Sequence, residues 1–222
     1  REMDESLPFD PLHAISAYDQ SKAEASLSVL QAARDGLDTV IVAPTGVIGP
    51  FDFRTSEMGA LVLSWMKPGN SILVDGRYDF VDVRDVARGE ILAGQHGKSG
   101  EVYILSGEQI HLVQMMCVVK QLLDLPIRVL TIPLRLARFA ANFTPWYYRM
   151  AKQRPRFTPY SIETVRSNSI ISHAKAAREA QADAGAAVRL ELGDGALDRL
   201  IVSQRLTHAH EDHIGQGTPN RQ

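Results

Sequence analysis

Helical and strand patterns of apolar residues alternate along most of the chain. Apolar residues recur at helical spacing from about Tyr18 to Arg34, and Gly36 predicts the end of that helix. The segment Thr39–Ala43 is short, apolar and rich in β-branched residues, which predicts a buried strand. Further helices are predicted at 57–67, 85–95, 112–123 and 134–141, and further strands at 71–74, 80–83, 101–105 and 128–132. This alternation of strands and helices predicts an α/β fold.

The first predicted helix carries a tyrosine and a lysine that are candidates for acid–base chemistry. Tyr18 and Lys22 are four residues apart, so they share one face of a helix. A neighbouring ammonium favours the phenolate form of tyrosine, which suits the pair to exchanging protons with an alcohol or a carbonyl. The same spacing also occurs by chance on solvated helices, so the pair alone leaves both interpretations open.

The surrounding segments add context to this pair. The loop Pro44–Pro50 follows a predicted strand, which is where open α/β sheets bind ligands. The segments Asp4–Pro8, Ala17–Glu24, Val42–Pro50 and Tyr78–Ala93, followed by Gly100–Gly107, occur in this order. Together they resemble the extended short-chain dehydrogenase/reductase family, also called NAD-dependent epimerase/dehydratases. The resemblance covers residues 1–179.

The resemblance implies a fold, a domain organisation and an activity. The fold would be the C-terminal part of a Rossmann-type, doubly wound sheet with a small α+β substrate domain. Residues 1–179 would form this partial NAD(P)-binding and substrate domain, and residues 180–222 would be a linker and an atypical His-rich tail. The activity would be NAD(P)-dependent reduction, oxidation or epimerisation of a small hydroxyl or carbonyl substrate, and a non-catalytic member that binds a dinucleotide is an alternative.

The resemblance also implies roles for individual residues. Tyr18 would be the catalytic acid/base, and Lys22 would bind the nicotinamide ribose and keep Tyr18 acidic. Pro44, Val47 and Ser56 would contact the cofactor, which is NAD or NADP.

One family motif leaves alternatives open, and another departs from the family pattern at two positions. By resemblance, Asp82 and Arg84 lie near the substrate cleft, where Arg84 would meet a phosphate or carboxylate. By the rules of helix capping, Asp82 instead starts a helix. Ala43 and Ile48 stand where the family usually has Arg and Tyr, which favours a dihydroflavonol-reductase-like member over a classical nucleotide-sugar epimerase.

The family's glycine-rich phosphate-binding loop does not follow any predicted strand of this sequence. Such a loop lets backbone N–H groups at a helix N-terminus approach the pyrophosphate. We therefore expect the chain to be a fragment of a longer enzyme, to bind a dinucleotide poorly and to be inactive alone. The resemblance implies a homodimer for the complete enzyme.

The C-terminal tail carries a second candidate site. The segment Thr207–Gly215 resembles the His-x-His-x-Asp-His motif of metallo-β-lactamase-fold hydrolases. That resemblance implies one zinc ion on His208 and His210 and a second on Asp212 and His213. Because this fold needs further ligands downstream, a His-rich tail without metal is the preferred interpretation, and a zinc hydrolase remnant is the alternative.

Composition narrows the class of protein. A chain of 222 residues with a net charge of −2 and 45% hydrophobic residues predicts a soluble globular domain with an appendage. Near-neutral charge gives no reason to expect a nucleic-acid partner. The single cysteine, Cys117, excludes an intrachain disulfide, is expected to be a buried structural thiol, and fits a reducing cytoplasm. No apolar run is long enough to span a membrane.

Overall fold

The computed structural model describes residues 2–74, 76–133 and 170–182. Strands and helices alternate along these ranges, as the sequence predicts. The strands are β1 Glu2–Met3, β2 Ile41–Pro44, β3 Gly46–Ile48, β4 Ser71–Val74, β5 Arg77–Asp82, β6 Val102–Leu105, β7 Glu108–His111, β8 Val129–Ile132 and β9 Ile170–Ile171. The helices are α1 Ala17–Arg34, α2 Glu57–Trp65, α3 Val83–His96, α4 Leu112–Leu122 and α5 Ala174–Ala182, with a 3₁₀ turn at Pro11–His13.

Parallel pairing dominates the strand contacts of the described residues. β1 pairs with β9, β2 with β6, β3 with β5 and β4 with β8, all parallel, whereas β5 and β7 are antiparallel. Parallel neighbours require a crossover connection, and helices α2 and α3 lie on such connections. The α/β fold predicted from the sequence is therefore confirmed.

Two clusters of buried side chains hold these layers together. The first joins α2 and α4 to β3, β4, β5 and β7, and at its centre Trp65, Phe80, Met115 and Met116 are almost fully buried. Burying a side chain of this size contributes about 1.5–3 kcal/mol. Lys120 lies beside it with its ammonium buried, and donates to the carbonyl oxygens of two residues between α2 and β4 at 3.1 and 3.2 Å.

The second cluster packs α3 and α5 against β2 and β6. Val86 and Ala93 of α3 meet Tyr103 and Leu105 of β6 there. Gly89 lets α3 approach closely, because a Cβ at this position would collide with the side chain of Leu105. Absence of a side chain at one helical position thus sets the distance between α3 and the strands beneath it.

Several expectations about individual elements need correction. β2 is half-buried rather than buried, since within the described residues it pairs only with β6 and its other edge has no strand. β3 and β7 were not predicted, because each is three or four residues long and gains its conformation by pairing with β5. Cys117 is half-buried and packs against the first cluster.

Other expectations lie at or beyond the limits of the described residues. The predicted helix at 134–141 is outside them. α5 runs to Ala182, so the first residues of the predicted linker are helical, and the rest of that segment is not described. The division into residues 1–179 and 180–222 stays a prediction. No helix in the described part of the chain combines the length and the apolar character that a membrane crossing requires.

Candidate active site

The start of α1 presents Tyr18 and Lys22 on one face. Ser16 caps the helix: its hydroxyl accepts from the backbone N–H of Asp19 at 3.1 Å and donates to the Asp19 carboxylate at 2.8 Å. One turn on, the ammonium of Lys22 lies 5.6 Å from the centre of the Tyr18 ring. Tyr18 is 63% exposed, so its hydroxyl is open to a substrate. The two side chains lie together as their spacing predicts, and their catalytic role stays a prediction.

Tyr78 of β5 packs against β3 and against its own strand neighbour Phe80. Its ring stands against Gly46 of β3, where a Cβ would collide with it. Burial raises the pKa of Tyr78, and the negative charges of Asp79, Asp19 and Tyr18, when ionised, raise it further. A negative charge on Tyr18 would therefore act on Tyr78 of β5.

The buried carboxylate of Asp79 fixes the segment between β2 and β3. It accepts a hydrogen bond from the hydroxyl of Thr45 at 2.7 Å and another from the backbone N–H of Gly107 at 3.0 Å. Hydrogen bonds to an ionised group are stronger than neutral ones, so this carboxylate ties two strand connections together. Pro44, at the end of β2, and Val47, in β3, are held in place by it. Sequence reasoning missed Asp79, because its partners Thr45 and Gly107 lie 34 and 28 residues away along the chain.

An open cavity of about 250 Å³ lies at the carboxyl end of β3. Its walls come from β3, from the loop 49–56 and from α2. Val47, Ile48, Met58 and Val62 supply apolar surface, and Ser56 and Asp52 supply polar groups. The structure thus brings two of the predicted cofactor residues, Val47 and Ser56, to one cavity. Tyr18, Lys22 and Pro44 are not among the described residues that line it.

The N-terminus of α2 is closed by groups of the protein itself. Ser56 accepts from the backbone N–H of Gly59 at 3.0 Å and donates to the carboxylate of Asp52 at 2.8 Å. The same carboxylate accepts from the backbone N–H of Ser56 at 2.8 and 2.9 Å. A Cβ at Gly59 would collide with Asp52. Asp52 therefore places its charge where the helix dipole is positive, a position that sequence reasoning did not identify.

Two phenylalanines project from the same loop. Phe51 and Phe53 are 68% and 74% exposed, and their ring centres are 6.1 Å apart. The backbone of Phe51 has a φ of 72°, in the left-handed region. For a residue with a Cβ this conformation costs about 1–2 kcal/mol. Phe51 is one of the residues that line the cavity. Its position there therefore requires a backbone conformation of higher energy.

Asp82 and Arg84 behave as the capping interpretation predicts. Asp82 is the N-cap of α3, and its carboxylate accepts from the backbone N–H of Arg84 at 2.8 Å. The guanidinium of Arg84 also binds this carboxylate through two bonds, of 2.8 and 2.6 Å. The hydrogen bond to Asp82 raises the pKa of Arg84. Arg84 thus meets a carboxylate of its own chain.

The candidate zinc ligands His208, His210, Asp212 and His213 lie outside the described residues, and zinc binding there stays a prediction. Across residues 2–74, 76–133 and 170–182, no group of three or more His, Cys, Asp or Glu side chains is placed to hold a metal ion.

A cavity at the carboxyl end of a parallel strand, next to a Gly/Pro loop, is typical of the doubly wound, nucleotide-binding α/β proteins. Comparison with known proteins defines the class more closely. Residues 1–106 match the sequence profile of the NAD dependent epimerase/dehydratase family. This match confirms, over residues 1–106, the resemblance seen in the motifs.

Individual relatives extend the likeness beyond residue 106. The chain is 34% identical over 174 residues to sterol demethylase protein B of Methylococcus capsulatus, an alignment that covers 78% of this chain and 52% of that protein. It is 37% identical over 137 residues to a putative dihydroflavonol 4-reductase of Synechocystis, covering 60% of this chain and 40% of the relative. The crystal structure of gox2253 matches with a TM-score of 0.70 and 28% identity, over 93% of this chain and 61% of that one. The chain spans about half the length of the curated relatives it matches.

Proposed function

We propose that this chain carries the acid–base residues of an NAD(P)-dependent oxidoreductase or epimerase that acts on a hydroxyl or carbonyl of a small molecule. The observation that carries the proposal is the Tyr18–Lys22 pair, which lies together at the start of α1 with Tyr18 exposed. Family membership supports it. We infer further that the described strands belong to the C-terminal part of a Rossmann-type sheet.

The described residues fit the nicotinamide end of such a cofactor. Lys22 offers an ammonium to ribose hydroxyls, and Pro44, at the end of β2, and Val47, within β3, offer exposed apolar surface. The first three described helices offer no equivalent binding site for the pyrophosphate of the cofactor. The N-termini of α1, α2 and α3 are capped by side chains, with the acids Asp19, Asp52 and Asp82 beside them. These carboxylates oppose the binding of an anion there.

The chemistry follows from the positions of the two side chains. The hydroxyl of Tyr18 donates a proton to the carbonyl oxygen when the substrate is reduced, and takes it back when an alcohol is oxidised. The nearby ammonium of Lys22 stabilises the phenolate that remains. A bound nicotinamide supplies or accepts the hydride at the neighbouring carbon.

The test compares the chain alone with the chain joined behind the N-terminal half of the Methylococcus relative. NADH and NADPH are titrated against both proteins by nucleotide fluorescence, and turnover is measured with a panel of ketones. In the joined protein we expect Tyr18→Phe to lower turnover by about 10²–10⁴-fold without weakening nucleotide binding. Lys22→Met should weaken nucleotide binding and also lower turnover.

Tyr103→Phe is the matched control, because it removes a hydroxyl that accepts from the backbone N–H of Lys98 at 2.9 Å within the second cluster. It should lower stability and leave turnover of the folded protein unchanged. Normal turnover in the Tyr18→Phe variant would contradict the proposal, as would a joined protein that folds and binds neither nucleotide.

A further inference from the structure

We propose that Asp79 is a positioning residue of the nucleotide site. Its buried carboxylate holds the chain connections that follow β2 and β6, and through them it sets the affinity for the nicotinamide end of the cofactor. This role deepens the proposed function, on which it rests for the identity of the cofactor. Three features of the molecule support it: the burial of the carboxylate, its hydrogen bonds, and the close packing of both connections against β5.

The two connections lie at the same edge of the β2–β6 pair. These strands are parallel, and their last paired residues are Pro44 and Leu105. Thr45 follows the first strand, and the segment Ser106–Gly107 follows the second. Open α/β sheets bind ligands outside the carboxyl ends of their parallel strands. A group that fixes both connections therefore also fixes the edge at which the nicotinamide is proposed to bind.

One oxygen atom of Asp79 joins these connections. Oδ1 accepts a hydrogen bond from the Thr45 hydroxyl at 2.7 Å and another from the backbone N–H of Gly107 at 3.0 Å. The residue is only 7% exposed, and burying a carboxylate is costly unless hydrogen bonds compensate for the lost water. An apolar side chain would avoid that cost, but it could not join Thr45 to Gly107.

Both connections also press against the backbone of β5. A Cβ at Gly46 would collide with the carbonyl oxygen of Asp79. In the same way, a Cβ at Gly107 would collide with the carbonyl group of Phe80. Because the packing is this close, a change in the hydrogen bonds of Asp79 moves the backbone of the connections.

Thr45 carries the effect of Asp79 to the residues expected to contact the cofactor. It follows Pro44, at the end of β2, and lies two residues before Val47 in β3. Its backbone N–H donates to the carbonyl oxygen of Leu105 at 3.1 Å, so its backbone is held by β6 and its hydroxyl by β5. Loss of the bond to Asp79 leaves Thr45 anchored to β6 alone. We expect the contact surface of Pro44 and Val47 to shift as a result, which weakens binding of the nicotinamide.

The residues proposed to exchange the proton belong to a different element. Tyr18 and Lys22 lie on α1, whereas Asp79 lies on β5 and binds the connections after β2 and β6. Removal of the Asp79 carboxylate should therefore change the affinity for the nucleotide far more than turnover at saturating nucleotide.

Hydrogen exchange in the full chain tests whether Asp79 holds the connections. Asp79→Leu removes the acceptor, and we expect the amide protons of Gly107 and Thr45 to exchange at least about tenfold faster than in the unchanged protein. Asp79→Asn keeps an oxygen atom in the position of Oδ1, so it should restore most of the protection. NMR measures both amides without any nucleotide.

Nucleotide titration of the joined protein tests the effect on affinity. Asp79→Leu should weaken binding of NADH or NADPH by about tenfold, the scale of one lost hydrogen bond to an ionised group. Thr45→Val removes the same bond and should weaken binding to a similar extent. Since Thr45 is only half-buried, this variant should fold even if Asp79→Leu does not. Asp79→Asn and Thr45→Ser keep the acceptor and the donor, and each should bind the nucleotide within about threefold of the unchanged protein.

Lys120→Met is the control for a general loss of stability. Lys120 is 1% exposed and also makes two hydrogen bonds, to the carbonyl oxygens of Lys67 and Gly69. Those bonds hold the connection between α2 and β4 and involve neither of the connections that Asp79 binds. The variant should lower the free energy of unfolding and leave the affinity for the nucleotide unchanged.

Weaker nucleotide binding in Asp79→Leu and Thr45→Val, with recovery in both conservative variants, supports the positioning role. Unchanged affinity in the first two variants, equal weakening by Lys120→Met, or a loss confined to turnover at saturating nucleotide would overturn it. Unchanged exchange of the Gly107 amide in the full chain would overturn it as well.

Failure of the proposed function gives a different result. Tyr18→Phe would then turn over normally in a joined protein whose nucleotide affinity still depends on Asp79. A joined protein that folds and binds neither nucleotide would contradict both proposals.

Discussion

Helices α1 and α3 begin in the same way but lie in different surroundings. Each is capped by a side-chain oxygen, from Ser16 and from Asp82. α1, which the structure describes over its full length, contains no buried residue, whereas α3 buries five, among them Val86 and Leu92. Capping starts a helix, but burial of one face supplies most of its stability.

The difference separates the two parts of the candidate site. Tyr18 and Lys22 lie on the helix with little packing, and the cavity lies on the side of the molecule that Trp65 and Phe80 hold together. Elements with few buried contacts open at a lower free energy than the core. We therefore expect Tyr18 and Lys22 to tolerate movement and the cavity wall to keep its shape.

A pair of matched leucines gives the largest contrast. Leu92→Ala in α3 removes a side chain that is 6% exposed, and we expect it to lower the free energy of unfolding by about 2–5 kcal/mol. Leu27→Ala in α1 removes a side chain that is 40% exposed, and the loss should stay below about 1 kcal/mol. Urea unfolding followed by circular dichroism measures both.

Equal losses in the two variants would break this comparison. They would mean that α1 is packed in solution, for instance against a second copy of the chain. The unfolding midpoint would then rise with protein concentration.

Two glycines of α3 sharpen the contrast between a packed and a solvated face. Gly89→Ala should cost about 1–3 kcal/mol of stability, because the new methyl group meets the buried Leu105 side chain. Gly94→Ala meets no atom within 4 Å and should stabilise the protein by about 0.5–1 kcal/mol through its higher helix propensity. Thermal unfolding measures both variants, and we expect the melting temperature to fall for Gly89→Ala and to rise for Gly94→Ala. A rise in both would show that α3 does not pack closely on β6.

The smallest effect comes from the contact that joins α5 to β6. Lys175 donates to Glu101 at 2.6 Å, and this hydrogen bond lowers the pKa of Glu101 below its ordinary value of 4.5. A pKa that is lower in the folded state than in the unfolded state stabilises the protein above pH 4.5. That contribution disappears as the pH falls through the pKa of Glu101 in the folded state. Glu101 is 48% exposed, so the contribution should be below about 1 kcal/mol.

The Glu101→Gln variant should therefore be less stable than the unchanged protein at pH 6. The difference in their free energies of unfolding should disappear as the pH falls well below 4.5. Urea unfolding at both pH values measures it, and Lys175→Gln should remove the same pH dependence. A gap of constant size at both pH values would show that charge does not stabilise this contact.

Local features of the chain were predicted well because their causes are local. Residues four apart on a helix share a face, so the Tyr18–Lys22 pair followed from spacing alone. The capping role of Asp82 followed from its position before a helix. Matching motifs in the right order were sufficient to indicate a resemblance to the family, which the comparison confirmed over residues 1–106.

The cavity wall depends on contacts between distant parts of the chain. β3 exists because it pairs with β5, and its connection to β2 is fixed by a hydrogen bond between Thr45 and Asp79, 34 residues apart. Asp52 closes the N-terminus of α2 only because the loop turns back over Gly59. Periodicity and propensity describe neighbours along the chain, whereas burial, pairing and the charge of a cavity arise when separate segments meet. The Tyr18–Lys22 pair was therefore visible in the sequence, and the shape and polarity of the cavity came from folding.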